Sequence, residues 1–398
     1  MRVPPGIDTH CDSFTFIIFK ICNDTKLSYN NFDMSRGFFE NPFNQETNVK
    51  LDLYKNYLKE WFPVFIAGKN PFKKTINVFD CFAGPGTDSE GKFGSPMLAL
   101  EVLNEYSEYV LREDININLY FNDSKKIYIE RLKQNIDNFN FKCNKNKLNI
   151  HFSNEKFEVL FGKLIPLMND AANLVFLDQF GIKYVDSERF RILINQPVTD
   201  ILFFISSSTF KRFPNDHNVT KVLGLTAEDI QSRSHYEIHK LIFEKYTNFI
   251  PDEYSYCLAP FSMKKGSNIY GLIFGSGHPL GMEKFLDLCW KKDETTGEAN
   301  FDIIGDQEKY FKPSLFESQP SKIEAFQIGL ENAILNRILT TDLEIFLYMI
   351  NNGFIAKHVK PVVKKLKRDG KIELKRPSFK CATVWKHRSR RPKKINVM

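Results

Sequence analysis

Short apolar runs recur along the first 280 residues, and the stretches of mixed polarity between most of them are long enough for a helix. Five of these runs are rich in β-branched and aromatic residues, which is typical of buried parallel strands. They occupy residues 76–79, 117–123, 148–154, 173–181 and 200–206. This alternation predicts an α/β fold, a mostly parallel, doubly wound sheet with helices on both faces.

Two further apolar runs, 254–261 and 269–275, differ from the first five because only a short turn containing Lys-Lys-Gly-Ser-Asn connects them. A connection this short has no room for a helix, whereas parallel neighbours need a long crossover. We therefore expect the sheet to end in an antiparallel hairpin.

Each of the first two predicted strands is followed by an acidic residue, and the first is also followed by two glycines. Asp80 ends the first run and is followed by Gly84 and Gly86, which allow the backbone to turn sharply and approach a ligand closely. The second run ends in Asp123, where doubly wound folds place a carboxylate that accepts hydrogen bonds from ribose hydroxyls. An isolated Gly-x-Gly also fits an ordinary strand-loop-helix turn. The repeated acid at strand ends favours a nucleoside-binding edge.

Together, the parallel sheet, its terminal hairpin and these strand-end residues resemble the Rossmann-like methyltransferases that use S-adenosylmethionine. The resemblance covers about residues 46–290. It implies that S-adenosylmethionine is the cofactor, held by the glycine turn with Asp123 at the ribose. The candidate cofactor-binding residues are Asp80, Phe82, Gly84, Gly86, Asp123 and Asn154.

A series of short motifs gives a closer resemblance, to the three-Cys-motif partner family. The motifs are Asp-Cys-Phe-Ala-Gly-Pro-Gly at 80–86, Gly-Ser-Pro at 94–96, Phe-Leu-Asp-Gln-Phe-Gly at 176–181, Leu-Cys-Trp-Lys-Lys-Asp at 288–293 and Gly-Glu-Ala-Asn at 297–300. The resemblance implies a methyltransferase-like domain followed by a winged-helix-type tail. It also implies a separate partner, a three-cysteine, radical-SAM-like protein. The chain departs from the family at Gln179, because the family motif there usually reads Asp-Pro-Phe-Gly.

The motif after the fourth predicted strand supplies the candidate catalytic residues, Asp178 and Phe180. In amino-methyltransferases, a side-chain oxygen and a rigid backbone carbonyl accept hydrogen bonds from the target nitrogen, and an aromatic ring stacks on the base. Gln179 either loosens the turn that a proline would stiffen or presents its amide to a base edge. The alternative interpretation is structural: Asp178 caps the following turn and Phe180 fills the core.

The net charge of +7 is very unevenly distributed along the chain. Residues 355–398 contain 16 Lys and Arg but only two acidic residues, whereas residues 1–354 contain 39 Lys and Arg against 46 Asp and Glu. The tail therefore carries +14 and the remainder −7, which concentrates any attraction for polyanions in the tail.

Amphipathic patterns before and within the tail predict three helices, over 321–338, 342–350 and from Ile355 towards Gly370. Residues 371–376 and 381–386 predict a two-stranded wing with its turn at Pro377-Ser378. These elements together describe a C-terminal winged-helix domain.

We expect basic side chains of this domain to contact a phosphate backbone, in DNA or RNA. The candidates are Lys360, Lys364, Lys367, Arg368, Arg376, Lys380, Arg388 and Arg390. The alternative is that the charges are a solvated face of a domain that binds protein.

The chain length of 398 residues suggests two or three domains. The expected boundaries are an irregular extension at 1–45, the methyltransferase-like domain at 46–300, a linker and first helix at 301–335, the winged helix at 336–386 and a basic tail at 387–398. Seven cysteines without a Cys-x-x-Cys pair predict reduced thiols and no metal site. No run approaches the length of a membrane span, so the expected location is cytoplasmic.

Two hypotheses remain open from the sequence. The first is a methyltransferase that acts on or with nucleic acid. The second is a catalytically inactive binding module that keeps the fold and recognises nucleic acid or a partner protein.

Overall fold

The structure is a computed structural model that describes residues 38–142, 144–179, 183–216, 221–233, 235–265, 268–301, 320–387 and 392–398. The strands of the main sheet are β1 (Thr75–Asp80), β2 (Asn116–Asn122), β3 (Leu148–Ser153), β4 (Ala171–Leu177), β5 (Thr199–Ile205), β6 (Cys257–Lys265) and β7 (Asn268–Ser276). Within the described residues they form one seven-stranded sheet in the order β3-β2-β1-β4-β5-β7-β6.

The first five strands pair in parallel, and β7 runs antiparallel to both β5 and β6. The five predicted parallel strands and the terminal hairpin are all present, with ends shifted by a few residues. The pairing is that of a Rossmann-like methyltransferase sheet, which confirms the predicted fold class.

Helices cover both faces of the sheet. The helices among the described residues up to 301 are α1 (Gln45–Ile66), α2 (Ser95–Glu105), α3 (Ser107–Val110), α4 (Lys126–Asp137), α5 (Phe157–Leu164), α6 (Ser187–Ile194), α7 (Ser207–Arg212), α8 (Ala227–Gln231), α9 (His235–Asn248) and α10 (Pro279–Lys292). Because side chains alternate along a strand, Val78 belongs to the core under α1, α2 and α10, while Phe79 belongs to the core under α5, α6 and α9.

A ladder of asparagines fixes the register of four strands. Asn77 donates to the Asn173 side chain at 3.1 Å and accepts from Asn118 at 2.8 Å, and Asn149 donates to Asn118 at 3.0 Å. These residues are direct partners in the parallel pairing. A slip of one residue would leave buried amides unpaired, so the ladder specifies the alignment of the strand ends.

The C-terminal part contains α11 (Lys322–Leu335), α12 (Asp342–Asn351), α13 (Ala356–Arg368) and α14 (Cys381–His387), with a small sheet of β8 (Ile372–Glu373) and β9 (Asn396–Val397). The three predicted helices are present. Pro361 lies inside α13, and the helix continues through it.

The predicted wing is wrong in its second strand. Residues 381–386 form most of α14, and β8 pairs instead with β9 near the end of the chain. The physical reason is the burial pattern: Cys381 and Val384, three residues apart, both face the core, which is helical spacing.

The C-terminal helices pack directly on α10, and one apolar core extends from the main sheet into them. Trp290 lies at the centre of this contact, where its indole Nε1 donates to the Gly353 carbonyl at 2.8 Å and its ring packs on His358 with centroids 4.1 Å apart. Lys380, from the C-terminal part, also forms an ion pair of 2.9 Å with Asp287 of α10.

Candidate active site at the carboxyl edge of the sheet

Three carboxylates lie at the carboxyl ends of neighbouring strands. Asp80 is the last residue of β1, Asp123 follows β2 directly, and Asp178 follows β4. Parallel strands end at one edge of a sheet, and β1 lies between β2 and β4, so the fold brings these side chains to one site.

The glycine turn after β1 needs its glycines. Gly84 and Gly86 have φ values of +60° and +84°, a region that other residues rarely adopt. A Cβ on Gly86 would lie 2.6 Å from a methyl carbon of Leu132 in α4. The turn is closed by a 2.7 Å hydrogen bond from the Gly94 N–H to the Gly86 carbonyl.

Asp123 is held by backbone donors. Its carboxylate accepts from the Gly84 N–H at 3.1 Å and from the Lys125 N–H at 2.8 Å. Burial raises the pKa of this carboxyl, and the two N–H groups oppose the shift. Asn154 donates its side-chain amide to the Asp123 carbonyl at 2.7 Å, so it supports Asp123 from the end of β3.

Asp80 is fully buried. Burial raises its pKa to about 7, and the charges of Asp178 and Asp123 act in the same direction, whereas the Ser95 hydroxyl and the Phe82 N–H lower it. Its Oδ2 atom has no hydrogen-bond partner among the described residues. An unpartnered buried acceptor of this kind is costly and is suited to a donor from a ligand.

Phe82 lies in the turn and belongs to an aromatic group beside the site. Its ring stacks on Phe157 with centroids 5.3 Å apart and is tilted against Tyr184 at 5.1 Å. Its main contact with the carboxylates is through the backbone, because its N–H reaches the Asp80 carboxylate at 3.4 Å.

Lys50 is a site residue that the sequence interpretation missed. It extends from α1 to the Asp178 carboxylate at 2.5 Å, and its ammonium also lies 4.9 Å from the centre of the Phe204 ring. A signal was present, since Lys50 lies on the same helical face as the buried Leu53 and Tyr54. A lysine among such apolar positions needs a buried partner.

Gln179 has a defined structural role. Its amide donates to the Phe204 carbonyl at 3.0 Å and accepts from the Tyr184 N–H at 2.9 Å. The side chain is buried, so neither of the two alternatives considered from the sequence, a looser turn or contact with a base, describes this conformation. Phe180 lies outside the described residues.

Phe39 is a second site residue that the sequence interpretation missed, and no sequence pattern indicated it. It belongs to a short 3-10 turn, Phe38–Glu40, and its ring meets the Cα side of Gly84 so closely that a Cβ there would collide with it. The ring also packs edge-on against Tyr128 of α4, with centroids 5.1 Å apart. Phe39, supported by Tyr128, thus covers Gly84.

The basic candidates on α13 have different surroundings. Lys360 and Lys364 are exposed and make no ion pair with other described residues. Arg368 pairs with its neighbour Asp369 at 3.1 Å, and Lys367 donates to the Leu374 carbonyl at 2.9 Å.

The remaining basic candidates lie after α13. Arg376 is exposed, with a φ of +44°. Lys380 is engaged with α10 through Asp287, and Arg388 and Arg390 lie outside the described residues.

Residues 299–379 match the family model of a GMT-like wHTH domain, that is, a winged helix-turn-helix. The chain thus carries a winged-helix domain after its methyltransferase-like sheet. No curated protein matches the chain.

Solved structures similar to the chain include two named methyltransferases and one complex with S-adenosyl-L-methionine. The complex of Trm1 from Pyrococcus horikoshii with S-adenosyl-L-methionine is 11% identical, covers 90% of this chain and 92% of that one, and has a TM-score of 0.35. The putative methyltransferase yhhF from Escherichia coli is 13% identical over 60% of this chain and 90% of its own, with a TM-score of 0.28. The plantazolicin methyltransferase BpumL in complex with SAH is 9% identical, with 61% of this chain and 93% of that one covered and a TM-score of 0.30. The fold assignment rests on the strand order and pairing given above.

No helix among the described residues is long and apolar enough to cross a membrane. The same residues contain no group of three or more His, Cys, Asp or Glu side chains arranged to hold a metal ion.

Proposed function

We propose that this chain is an S-adenosylmethionine-dependent methyltransferase that acts on nucleic acid held by its winged-helix domain. The observation that carries the proposal is the arrangement of Asp80, the Gly84–Gly86 turn and Asp123 at one edge of a methyltransferase-type sheet. The neighbouring Asp178 supplies a polar group where a methyl acceptor would lie.

The residues at this edge fit the cofactor. Asp123 would accept hydrogen bonds from ribose hydroxyls, and Gly84 lets the backbone approach the cofactor without a Cβ, while Gly86 makes room for Leu132 of α4. The buried and unpartnered Oδ2 of Asp80 would accept a hydrogen bond from it. When bound, S-adenosylmethionine supplies a methyl group on a positively charged sulfur, and the protein contributes mainly orientation.

Asp178 is the proposed acceptor-side residue. In the conformation described here Lys50 holds its carboxylate, so the target amine has to replace Lys50 as the hydrogen-bond donor. Gln179, the next residue, is held by its bonds to the Phe204 carbonyl and the Tyr184 N–H. These bonds would anchor the backbone beside Asp178 while its carboxylate changes partner.

We assign nucleic-acid contact to the exposed face of α13, around Lys360 and Lys364. Phosphate contacts there release counterions, and each contact on duplex DNA changes the slope of log affinity against log salt by about −0.9. We also propose that the chain works beside a three-Cys-motif protein, which rests on the motif series alone.

A second candidate function is a catalytically inactive binding module. The ion pair between Lys50 and Asp178 favours it, because a carboxylate held at 2.5 Å by a buried lysine is not free to accept a target amine. Under this hypothesis the winged helix still binds a partner, but methyl transfer is absent.

The experiment that tests the enzyme proposal is transfer of a labelled methyl group from S-adenosylmethionine to DNA, RNA or the partner protein. We expect transfer by the wild type and a loss of at least about 100-fold with Asp178→Asn, at nearly unchanged cofactor affinity. If cofactor binds but no substrate of the three classes is methylated by the wild type, the binding-module hypothesis replaces the enzyme proposal.

The nucleic-acid proposal is tested by the salt dependence of duplex binding. The double variant Lys360→Ala, Lys364→Ala is expected to lose up to about two phosphate contacts. The slope of log affinity against log salt should become shallower by about 0.9 for each lost contact. The matched control is Lys365→Ala with Lys371→Ala, because both lysines face Glu331 at 2.9 and 3.9 Å. Equal slopes for both double variants and the wild type would remove α13 as the phosphate-binding face.

A further inference from the structure

Residues 38–44 form a segment, here called the N-terminal strap, that lies across the glycine turn. Phe39 contributes the closest contact. If Gly84 had a Cβ, the Cε1 and Cε2 atoms of the Phe39 ring would lie 2.9 Å from it. The ring therefore occupies the space beside Gly84 that a Cβ would otherwise fill.

The strap is anchored on the same loop that it covers. The Phe43 N–H donates to the buried Asp88 carboxylate at 2.8 Å, and Asp88 also accepts from the N–H groups of Glu90 and Lys92. Asn44 then caps α1 by accepting from the Thr47 N–H at 2.9 Å. Phe39 lies beyond these anchors, at the end of the strap away from α1.

Two carboxylates near the strap are already engaged by groups of the protein itself. Both oxygens of Asp123 accept backbone N–H groups, one of them from Gly84 itself. A few residues after the strap, Lys50 neutralises Asp178. The stretch 39–50 thus contacts both the proposed cofactor turn and the proposed acceptor carboxylate.

We propose that Phe39 is an internal competitor of the cofactor: its ring occupies the face of Gly84 that S-adenosylmethionine must reach, and cofactor binding displaces it. The inference rests on the proposed function, because it needs the glycine turn to be the cofactor site. Its thermodynamic consequence is definite. If the cofactor binds only the state in which Phe39 has left Gly84, its apparent Kd is the intrinsic Kd divided by the fraction of molecules in that state.

Calorimetric titration with S-adenosylmethionine and S-adenosylhomocysteine tests the proposal on the full chain. Phe39→Ala is expected to bind both about tenfold more tightly than the wild type, because no aromatic contact has to be broken. Phe72→Ala is the matched control, since Phe72 is 76% exposed and is expected to leave affinity unchanged. Binding by Phe39→Ala but not by the wild type would support the same conclusion.

A second measurement uses the wild type alone, in case Phe39→Ala folds poorly. Hydrogen exchange of the peptide 38–44 is expected to rise when S-adenosylmethionine is added, because the strap leaves the turn. Slower exchange would show that Phe39 is a wall of the occupied site and would overturn the proposal.

The outcomes separate this inference from the cofactor proposal. If the wild type binds and Phe39→Ala binds equally or more weakly, competition by Phe39 is wrong while the cofactor site stands. If neither protein binds S-adenosylmethionine or S-adenosylhomocysteine, the cofactor site is wrong and the competitor proposal falls with it.

Discussion

Asp80 is the residue whose protonation most affects stability at the proposed site. In the unfolded chain its carboxyl ionises near its ordinary pKa, whereas in the folded protein burial raises the pKa to about 7. Between these values the folded state keeps a proton that the unfolded state has lost, so stability falls as pH rises. The cost is complete above pH 7 and is on the order of 4 kcal/mol.

We therefore predict that Asp80→Asn is increasingly stabilising, relative to the wild type, as pH rises from about 4 to about 7. The neutral amide removes the buried charge but can still accept from the Phe82 N–H. Denaturant unfolding at several pH values measures this difference. Asp170→Asn, at a fully exposed carboxylate, is the control. Parallel stability curves for Asp80→Asn and the wild type would contradict the burial of a carboxyl at this position.

Residues adjacent in sequence to the strand ends were predictable, and residues that arrive from far away were not. Asp80 and Asp123 could be predicted because each comes at the end of an apolar strand pattern. Gly84 could be predicted because a sharp turn after the first strand favours glycine. Phe39 contacts a turn 45 residues later, and Lys50 pairs with an acid 128 residues later. Lys50 interrupts an apolar helix face, which indicates a buried partner but does not identify it.

At the scale of secondary structure, the asparagine ladder holds the strands in the register that aligns the site. Asn77 is buried in it and interacts with Asn173, Asn118 and the Leu167 carbonyl. Apolar periodicity predicts each strand but is silent about this ladder, because the asparagines become partners only when the strands pair.

We predict that Asn77→Ala lowers the free energy of unfolding by about 2 to 4 kcal/mol, since the buried amide of Asn173 and two partly buried polar groups lose a partner. Asn149→Ala, at the exposed end of the ladder, is the control and is expected to cost less than about 0.5 kcal/mol. Urea unfolding followed by circular dichroism measures both. Similar small effects for the two variants would show that the ladder does not determine the register.

The wing shows where sequence patterns fail at this scale. Each strand of the small sheet has only two residues, and its second strand lies more than 20 residues after the first. Such short pairings have too few residues to show a period of two. The intervening α14 was mistaken for a strand because its valine and aromatic residues also suit a strand.

At the scale of the whole molecule, the C-terminal domain is joined to the methyltransferase-like sheet by a continuous core. Trp290 is 1% exposed, and the ammonium groups of Lys322 and Lys357 lie 5.3 and 5.4 Å from the centre of its ring. Removing the C-terminal helices would expose this core, so point variants of surface lysines test nucleic-acid binding more cleanly than truncation does.

We predict that the wild type unfolds in a single transition and that Trp290→Ala lowers its stability by about 3 to 5 kcal/mol. The variant should also separate the unfolding of α12 and α13 from that of the sheet, because the shared core is broken at its centre. Denaturant titration with hydrogen exchange of both regions measures this. Two separate transitions in the wild type would contradict a continuous core.

The central claim is that the carboxyl edge of the sheet binds S-adenosylmethionine, and calorimetric titration of Asp123→Asn against the wild type tests it most directly. The amide keeps the shape of the carboxylate but loses one acceptor, so we predict at least about tenfold weaker binding than the wild type shows. The exposed Asp170→Asn should match the wild type. No binding by the wild type up to millimolar cofactor, or equal affinity for Asp123→Asn, would contradict the account.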